Sequence, residues 1–212
     1  MTTADGHSPA GLPADPPGGS SLPHAPPPRP LVAPTRQRQA LGDDATPATV
    51  RRYSYVGPPE LRHAPGPAGF RCAEPGDFAE WLSTQTPQDL AEPFTYVVTT
   101  DGFLRLAPRR SEHVACAGGE PVGAAGEIAF TGAWSASYVT NHSTGYCPDI
   151  TSWSVVAAAL GRLGISHPGG FTPAVVFRRC VDCREVNVVR DDFYVCVFCE
   201  ADLPTAWNVS PP

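Results

Sequence analysis

A chain of 212 residues has room for one domain of ordinary size and a small module beside it. All 15 basic residues are arginine, so a P-loop lysine, a Schiff-base lysine and a lysine general base are excluded. The formal charge of -6 works against phosphate binding, and 26 prolines with 20 glycines indicate that part of the length is not packed core.

That part comes first. Residues 1–48 are Pro, Gly, Ala and Ser with few large apolar side chains, a composition that cannot offset the entropy of ordering. A disordered arm is expected there, with "APPPRP" as a polyproline tether able to meet an aromatic groove. The start lacks the basic and apolar regions of a secretory signal, and no stretch reaches the roughly 20 apolar residues of a membrane helix. A cytoplasmic protein with no membrane partner is therefore expected. Abundant Ala, Gly, Pro and Arg without lysine fits GC-rich coding, as in actinobacteria.

From residue 49 to 172 the pattern is that of an α+β domain. "YSYVG" reads as a first strand, and "GDFAEWLSTQ" as a short helix with Asp77 as N-cap and Glu80 closing a capping box. "FTYVVTT", the pair Asp101-Gly102 and "FLRLAPR" form a hairpin signal. "GEIAFTGAWSASYVTN" reads as a second hairpin turning near Thr131-Gly132. In "DITSWSVVAAALGRLG" the residues Ile150, Trp153, Val156, Leu160 and Leu163 share one helical face, starting at Thr151 or Ser152 and stopping at Gly164. Two hairpins and one or two helices give an α+β fold with a largely antiparallel sheet.

The middle of this domain gathers polar chemistry. His113, Glu127, His142, Ser143 and Tyr146 lie among glycines that permit close backbone approach, with Cys116 and Cys147 nearby. Glu127 stands inside an apolar strand run, where a carboxylate needs a partner. Neither the dinucleotide fingerprint nor a G-x-S-x-G elbow is present.

The C-terminal region, 173–203, carries two Cys-x-x-Cys pairs, Cys180 with Cys183 and Cys196 with Cys199, followed by a tail over 204–212. Seven cysteines, four of them in this spacing, read as metal ligation in a reducing compartment, not as disulfides. Each pair follows a strand-like run, and "REVNVVRDDFYV" between them reads as a hairpin turning at Asp191-Asp192. Two facing knuckles place four sulfurs tetrahedrally at about 2.3 Å from one ion; zinc suits this best, and iron also accepts four thiolates. A fully ligated zinc has no open position for water, so a structural Zn2+ is expected.

Zinc-ribbon knuckles usually place Gly after the second Cys; here Arg184 and Glu200 stand at positions that favour a left-handed backbone. Four arginines against six carboxylates leave the region net acidic, which argues against a nucleic-acid reader. A zinc deaminase reading of "CAE" at Cys72 to Glu74 fails because the Pro-Cys-x-x-Cys is missing and a second Cys pair would be orphaned.

His113, Ala117-Gly118-Gly119, Val122, Ala125-Gly126-Glu127, then Ser143, Tyr146 and Pro148, resemble the core of plant IQ-motif calmodulin-binding proteins and their bacterial relatives. Where that family has His before Tyr, this chain has Gly145, with His142 three places earlier, and it has no IQ motif. The resemblance therefore implies neither an acid-base histidine at that place nor calmodulin binding. "FTPAVVFRRCVDC" with "CVFCEADLPTAWN" resembles actinobacterial zinc-ribbon-containing proteins of about this size, a likeness that brings no activity with it.

The expectation from these features is a zinc-binding recognition or adaptor protein whose partner is a protein or a small molecule. The alternatives are a transferase or hydrolase using His113, Glu127 or His142 for proton transfer with Ser143 and Tyr146 orienting substrate, and a nucleic-acid-associated zinc ribbon. The sequence leaves open whether Cys72, Cys116 and Cys147 are reactive.

Overall fold

The central strand of the molecule has no polar face. In Phe94–Thr99 (β2) the side chains of Phe94, Tyr96 and Val98 enter one apolar cluster and Val97 enters another on the opposite side, so the strand is an almost unbroken apolar run. The computed structural model that displays this describes residues 51–63, 66–132 and 134–210, and the arm expected over 1–48 lies outside them. The described residues cluster as one unit.

Around β2 the sheet runs in the order β1-β3-β2-β4-β5, with Phe70–Cys72 (β1), Leu104–Ala107 (β3), Val122–Phe130 (β4) and Ala136–Val139 (β5), every pairing antiparallel. Both expected hairpins form. β2 and β3 turn through Asp101-Gly102, where Gly102 takes φ +85, and β4 and β5 turn past Thr131-Gly132. One face packs against the helices Pro75–Ser83 (α1) and Trp153–Arg162 (α4), through Phe78, Trp81, Val156 and Leu160. The other face packs against the short helix His113–Ala117 (α3) and the segment bearing Tyr53 and Tyr55. A one-turn helix, Pro87–Leu90 (α2), links α1 to β2.

Three local expectations shift. "YSYVG" does not become a strand of its own: Tyr53 makes a two-bond bridge to Val122 (2.8 and 3.0 Å), and Pro58 and Pro59 then break the extended run. Asp77 is the third helical residue of α1 and not its cap: its carboxylate accepts the Ala73 and Glu74 amides at 2.7 and 3.1 Å, while Pro75 supplies the first residue. The Ile150–Ser152 turn is a 3-10 turn ahead of α4, which leaves Ile150 exposed instead of on the buried face.

The C-terminal hairpin differs in where its ladder lies. Val176–Arg179 (β6) pairs with Val186–Val189 (β7), so the first cysteine knuckle itself connects the two strands. The turn at Asp191-Asp192 is present, with both residues at positive φ, but beyond it pairing is limited to the Arg190–Phe193 and Val195–Asp202 bridges.

β4 can cross so close to the chain leaving β5 only because residue 126 has no side chain: a Cβ there would lie 2.0 Å from the Thr140 carbonyl oxygen. That oxygen already accepts the Tyr96 hydroxyl at 2.8 Å from inside the core. Gly126→Ala is expected to cost about 3 kcal/mol or more, because backbone cannot yield as a flexible side chain does. Urea unfolding measures this, and a loss under about 1 kcal/mol would contradict the close approach.

Candidate metal centre and the central polar cluster

Four sulfurs converge at the end of the C-terminal hairpin. The Sγ atoms of Cys180, Cys183, Cys196 and Cys199 all lie within 4.8 Å of one another, with Cys180–Cys199 at 3.6 Å and Cys183–Cys196 at 3.5 Å. Tetrahedral zinc with bonds of about 2.3 Å requires sulfurs about 3.8 Å apart, so the cluster has the dimensions of a metal site. Among the described residues these four form the one group of three or more His, Cys, Asp or Glu donors close enough to hold an ion.

The backbone builds it as a pair of knuckles. The Cys180 amide donates to the Glu185 carbonyl at 2.9 Å and the Cys196 amide to the Ala201 carbonyl at 2.8 Å, so each Cys-x-x-Cys curls back on its own strand. Each curl needs a left-handed residue straight after its second cysteine. Arg184 (φ 68) and Glu200 (φ 63) take that conformation, as their positions imply. An L side chain held there stores local strain.

Without a cation these thiols compete for protons. Burial opposes ionisation of Cys196, yet the Phe198 and Cys199 amides, the Cys183 thiol and the Asn187 amide outweigh it and pull this group down to about 6. The Glu185 backbone favours a Cys183 thiolate, but burial and the three neighbouring sulfurs push that thiol up to about 12. Cys196 is thus drawn toward the thiolate while Cys183 and Cys199 are held from it, a pattern that a bound divalent ion would relieve.

Asn187 is a part of the centre that the motif does not announce. It is buried in β7, its Nδ2 lies 3.5 Å from the Cys196 sulfur, and its Oδ1 accepts the Val197 amide at 2.9 Å. It thus orients a ligand and fixes the second knuckle together. The only sequence signal was an amide in an otherwise apolar strand, "VNVV".

The hairpin core is small: Cys180, Val189, Cys196 and Leu203. It is tied to the rest of the chain by Phe177, which packs with Cys147 and Val209, and by Asn208, whose side chain bonds both the amide and carbonyl of Arg179 at 2.8 and 2.7 Å. Residues 204–210, expected as a tail, are therefore held on the hairpin.

The central polar residues divide. His113, on the first turn of α3, donates from Nε2 to the Gly126 carbonyl at 3.0 Å. Burial lowers its pKa below 6.5, against smaller opposing pulls from that carbonyl and from Glu127, with His142 adding to the lowering. His113, Glu127 and His142 thus share one electrostatic neighbourhood. Glu127 meets Arg109 at 3.4 Å, and the exposed His142 ring stacks on Phe177 with centroids 6.5 Å apart.

Tyr146 and Ser143 do not join them at a surface. Tyr146 is fully buried and spends its hydroxyl on the Glu120 carbonyl at 2.8 Å, and the buried Ser143 Oγ has no hydrogen-bond partner among the described residues.

Burial also settles the spare thiols. Cys72, Cys116 and Cys147 are each pushed up to about 12, chiefly by loss of solvent, so all three stay protonated and unreactive at neutral pH.

No family model, curated protein or solved structure matches the chain. Among the described residues no helix is long and apolar enough to cross a membrane.

Two outcomes follow. Iodoacetamide applied to the folded protein should leave Cys72, Cys116 and Cys147 unmodified by peptide mapping and should label all three after denaturation; an adduct on any of them in the folded state would contradict their burial. His113 titrates below its ordinary 6.5, so the stability it supports is present above that pH and is lost as pH falls through its folded value. Urea midpoints should drop between pH 7.5 and 5.5 more steeply in wild type than in His113→Gln, and equal slopes would show that His113 is not buried neutral.

Proposed function

We propose that this chain is a cytosolic zinc-binding recognition or adaptor protein whose zinc is structural. The observation that carries the reading is the cluster of four sulfurs within 4.8 Å, closed by two left-handed knuckles. Four thiolates with no histidine or carboxylate favour zinc, and with every tetrahedral position filled the ion closes the hairpin instead of activating water. A core of four buried residues needs such a staple, and binding free energy at a site of this type is folding free energy.

The recognition role draws on the knuckle tips. Val181, Val197 and Phe198 lie between the ligand cysteines, and each is more than half exposed. Apolar side chains held at a rigid, metal-fixed end are what a partner surface would cover. The exposed charges around them, Asp182, Glu185 and Glu200 with Arg184, give no basic track for a nucleic acid.

An enzyme, the alternative class, draws on the shared neighbourhood of His113, Glu127 and His142. It lacks a way to orient substrate, because Tyr146 and Ser143 are both enclosed. Glu127 is also already occupied by Arg109.

Native mass spectrometry of the protein purified under reducing, chelator-free conditions should give a mass excess of one zinc per chain. Cys183→Ser and Cys196→Ser should each lose that mass and lower the melting temperature by 10 °C or more, on the order of the stability a structural zinc supplies to a small hairpin. Metal-free protein with an unchanged melting temperature would remove the staple, and iron in place of zinc would change the cofactor.

A further inference from the structure

Where the hairpin meets the sheet domain, a cavity of about 220 Å3 opens between the start of the Ile150–Ser152 turn, β6 with the residues before it, and the 205–207 segment. Asp149, Val175, Val176, Arg178 and Trp207 are among its walls. Its lining is mixed, with Thr151 and Thr205 beside the apolar residues, and it holds two buried charges of opposite sign that form no ion pair among the described residues.

Arg178 is 8% exposed. Its guanidinium donates only to carbonyls: Nε to Pro204 at 3.0 Å, Nη1 to Phe177 at 2.7 Å, Nη2 to Thr205 at 2.6 Å. One N–H on each Nη is left over, and among the described residues Arg178 forms no ion pair, the three pairs being Arg71–Asp101, Arg109–Glu127 and Arg110–Asp89. Asp149 is 9% exposed, its Oδ1 accepts the Thr151 amide at 2.9 Å, and it too forms no ion pair among the described residues. A buried charge without a counter-charge is costly, and two in one cavity that do not pair with each other leave that cost standing.

We propose that the cavity binds a free α-amino acid with a small aliphatic side chain. The zwitterion supplies both missing charges: its carboxylate takes the spare N–H groups of Arg178 and its ammonium faces Asp149. Val175, Val176 and the Trp207 ring offer the side chain an apolar wall. The volume corresponds to about seven waters at about 30 Å3 each, which suits alanine to leucine. The other groove of note, about 310 Å3 beside α1 and β3, has no charged residue in its lining.

This inference rests on the recognition reading and names its ligand class, and it ties the ligand to the metal. Trp207 and the Thr205 carbonyl are held in place because Asn208 hangs that segment from Arg179, one residue before the first metal ligand.

Calorimetric titration of the zinc-loaded full chain with alanine, valine and leucine tests it, alongside N-acetyl-leucine and leucine methyl ester, each of which removes one charge. At least one free amino acid should bind, and both blocked forms should bind at least tenfold more weakly. Arg178→Met should abolish binding. Because Arg178 also holds the 204–205 segment, Asp149→Asn is the second variant: asparagine keeps the turn cap, so melting should hold while affinity falls at least tenfold. Absence of heat with all three amino acids, or equal binding of the blocked forms, would overturn the proposal. In either case an intact zinc mass would leave the metal reading standing.

Discussion

Four sulfurs drawn within 4.8 Å of one another are the constraint on which the C-terminal hairpin of this molecule depends. The hairpin has a core of four buried residues and a four-residue ladder, too little apolar burial to hold a strained pair of left-handed knuckles at Arg184 and Glu200. A cation bound by all four would relieve the resistance of Cys183 and Cys199 to ionisation and fix both knuckles at once. Asn187 then does two jobs with one amide, bonding a ligand sulfur and the backbone of the opposite knuckle. The hairpin in turn carries Asn208, the 204–207 segment and Trp207, which packs edge-on to Tyr53 at 5.3 Å and so reaches the sheet domain. Order at the four cysteines is thereby connected to a wall of the cavity by a chain of hydrogen bonds and ring contacts.

The sheet domain answers a different requirement. Its central strand is covered on both faces, by α1 and α4 on one side and by α3 with the Tyr53–Tyr55 segment on the other. Close approach replaces bulk at the crowded places. Gly126 lets β4 pass the Thr140 carbonyl, and Gly69 stands where a Cβ would meet the Cys116 sulfur at 2.4 Å. Within the Ala-Gly-rich motif, this packing explains Gly126, while Gly118 and Gly119 take positive φ where α3 ends.

Period-two patterning, the Asp101-Gly102 turn and the paired Cys-x-x-Cys spacing were each legible because they are local rules with a single reading. Both hairpins of the sheet and α4 follow from them. What was not legible depended on contacts distant in sequence. Asp77 looks like a cap until Pro75 is seen to occupy the first helical position. The "REVNVVRDDFYV" run looks like a hairpin, but β7 finds its partner in β6 across the knuckle, where the ladder and the metal site can share one set of backbone bonds. Arg178 and Asp149 carried no signal of a ligand site, since their meaning comes only from burial without a counter-charge.

That contrast decides where function is to be sought. His113, Glu127 and Tyr146 were conspicuous by residue type, yet each has a protein partner: a carbonyl, an arginine and a second carbonyl. A group already satisfied contributes to the fold and has little capacity left for a ligand. Arg178 and Asp149 are inconspicuous and equally buried, but each keeps a charge that the protein does not meet. Folding tolerates such a deficit only where something else relieves it, and the cavity that both groups line is the place from which relief can come.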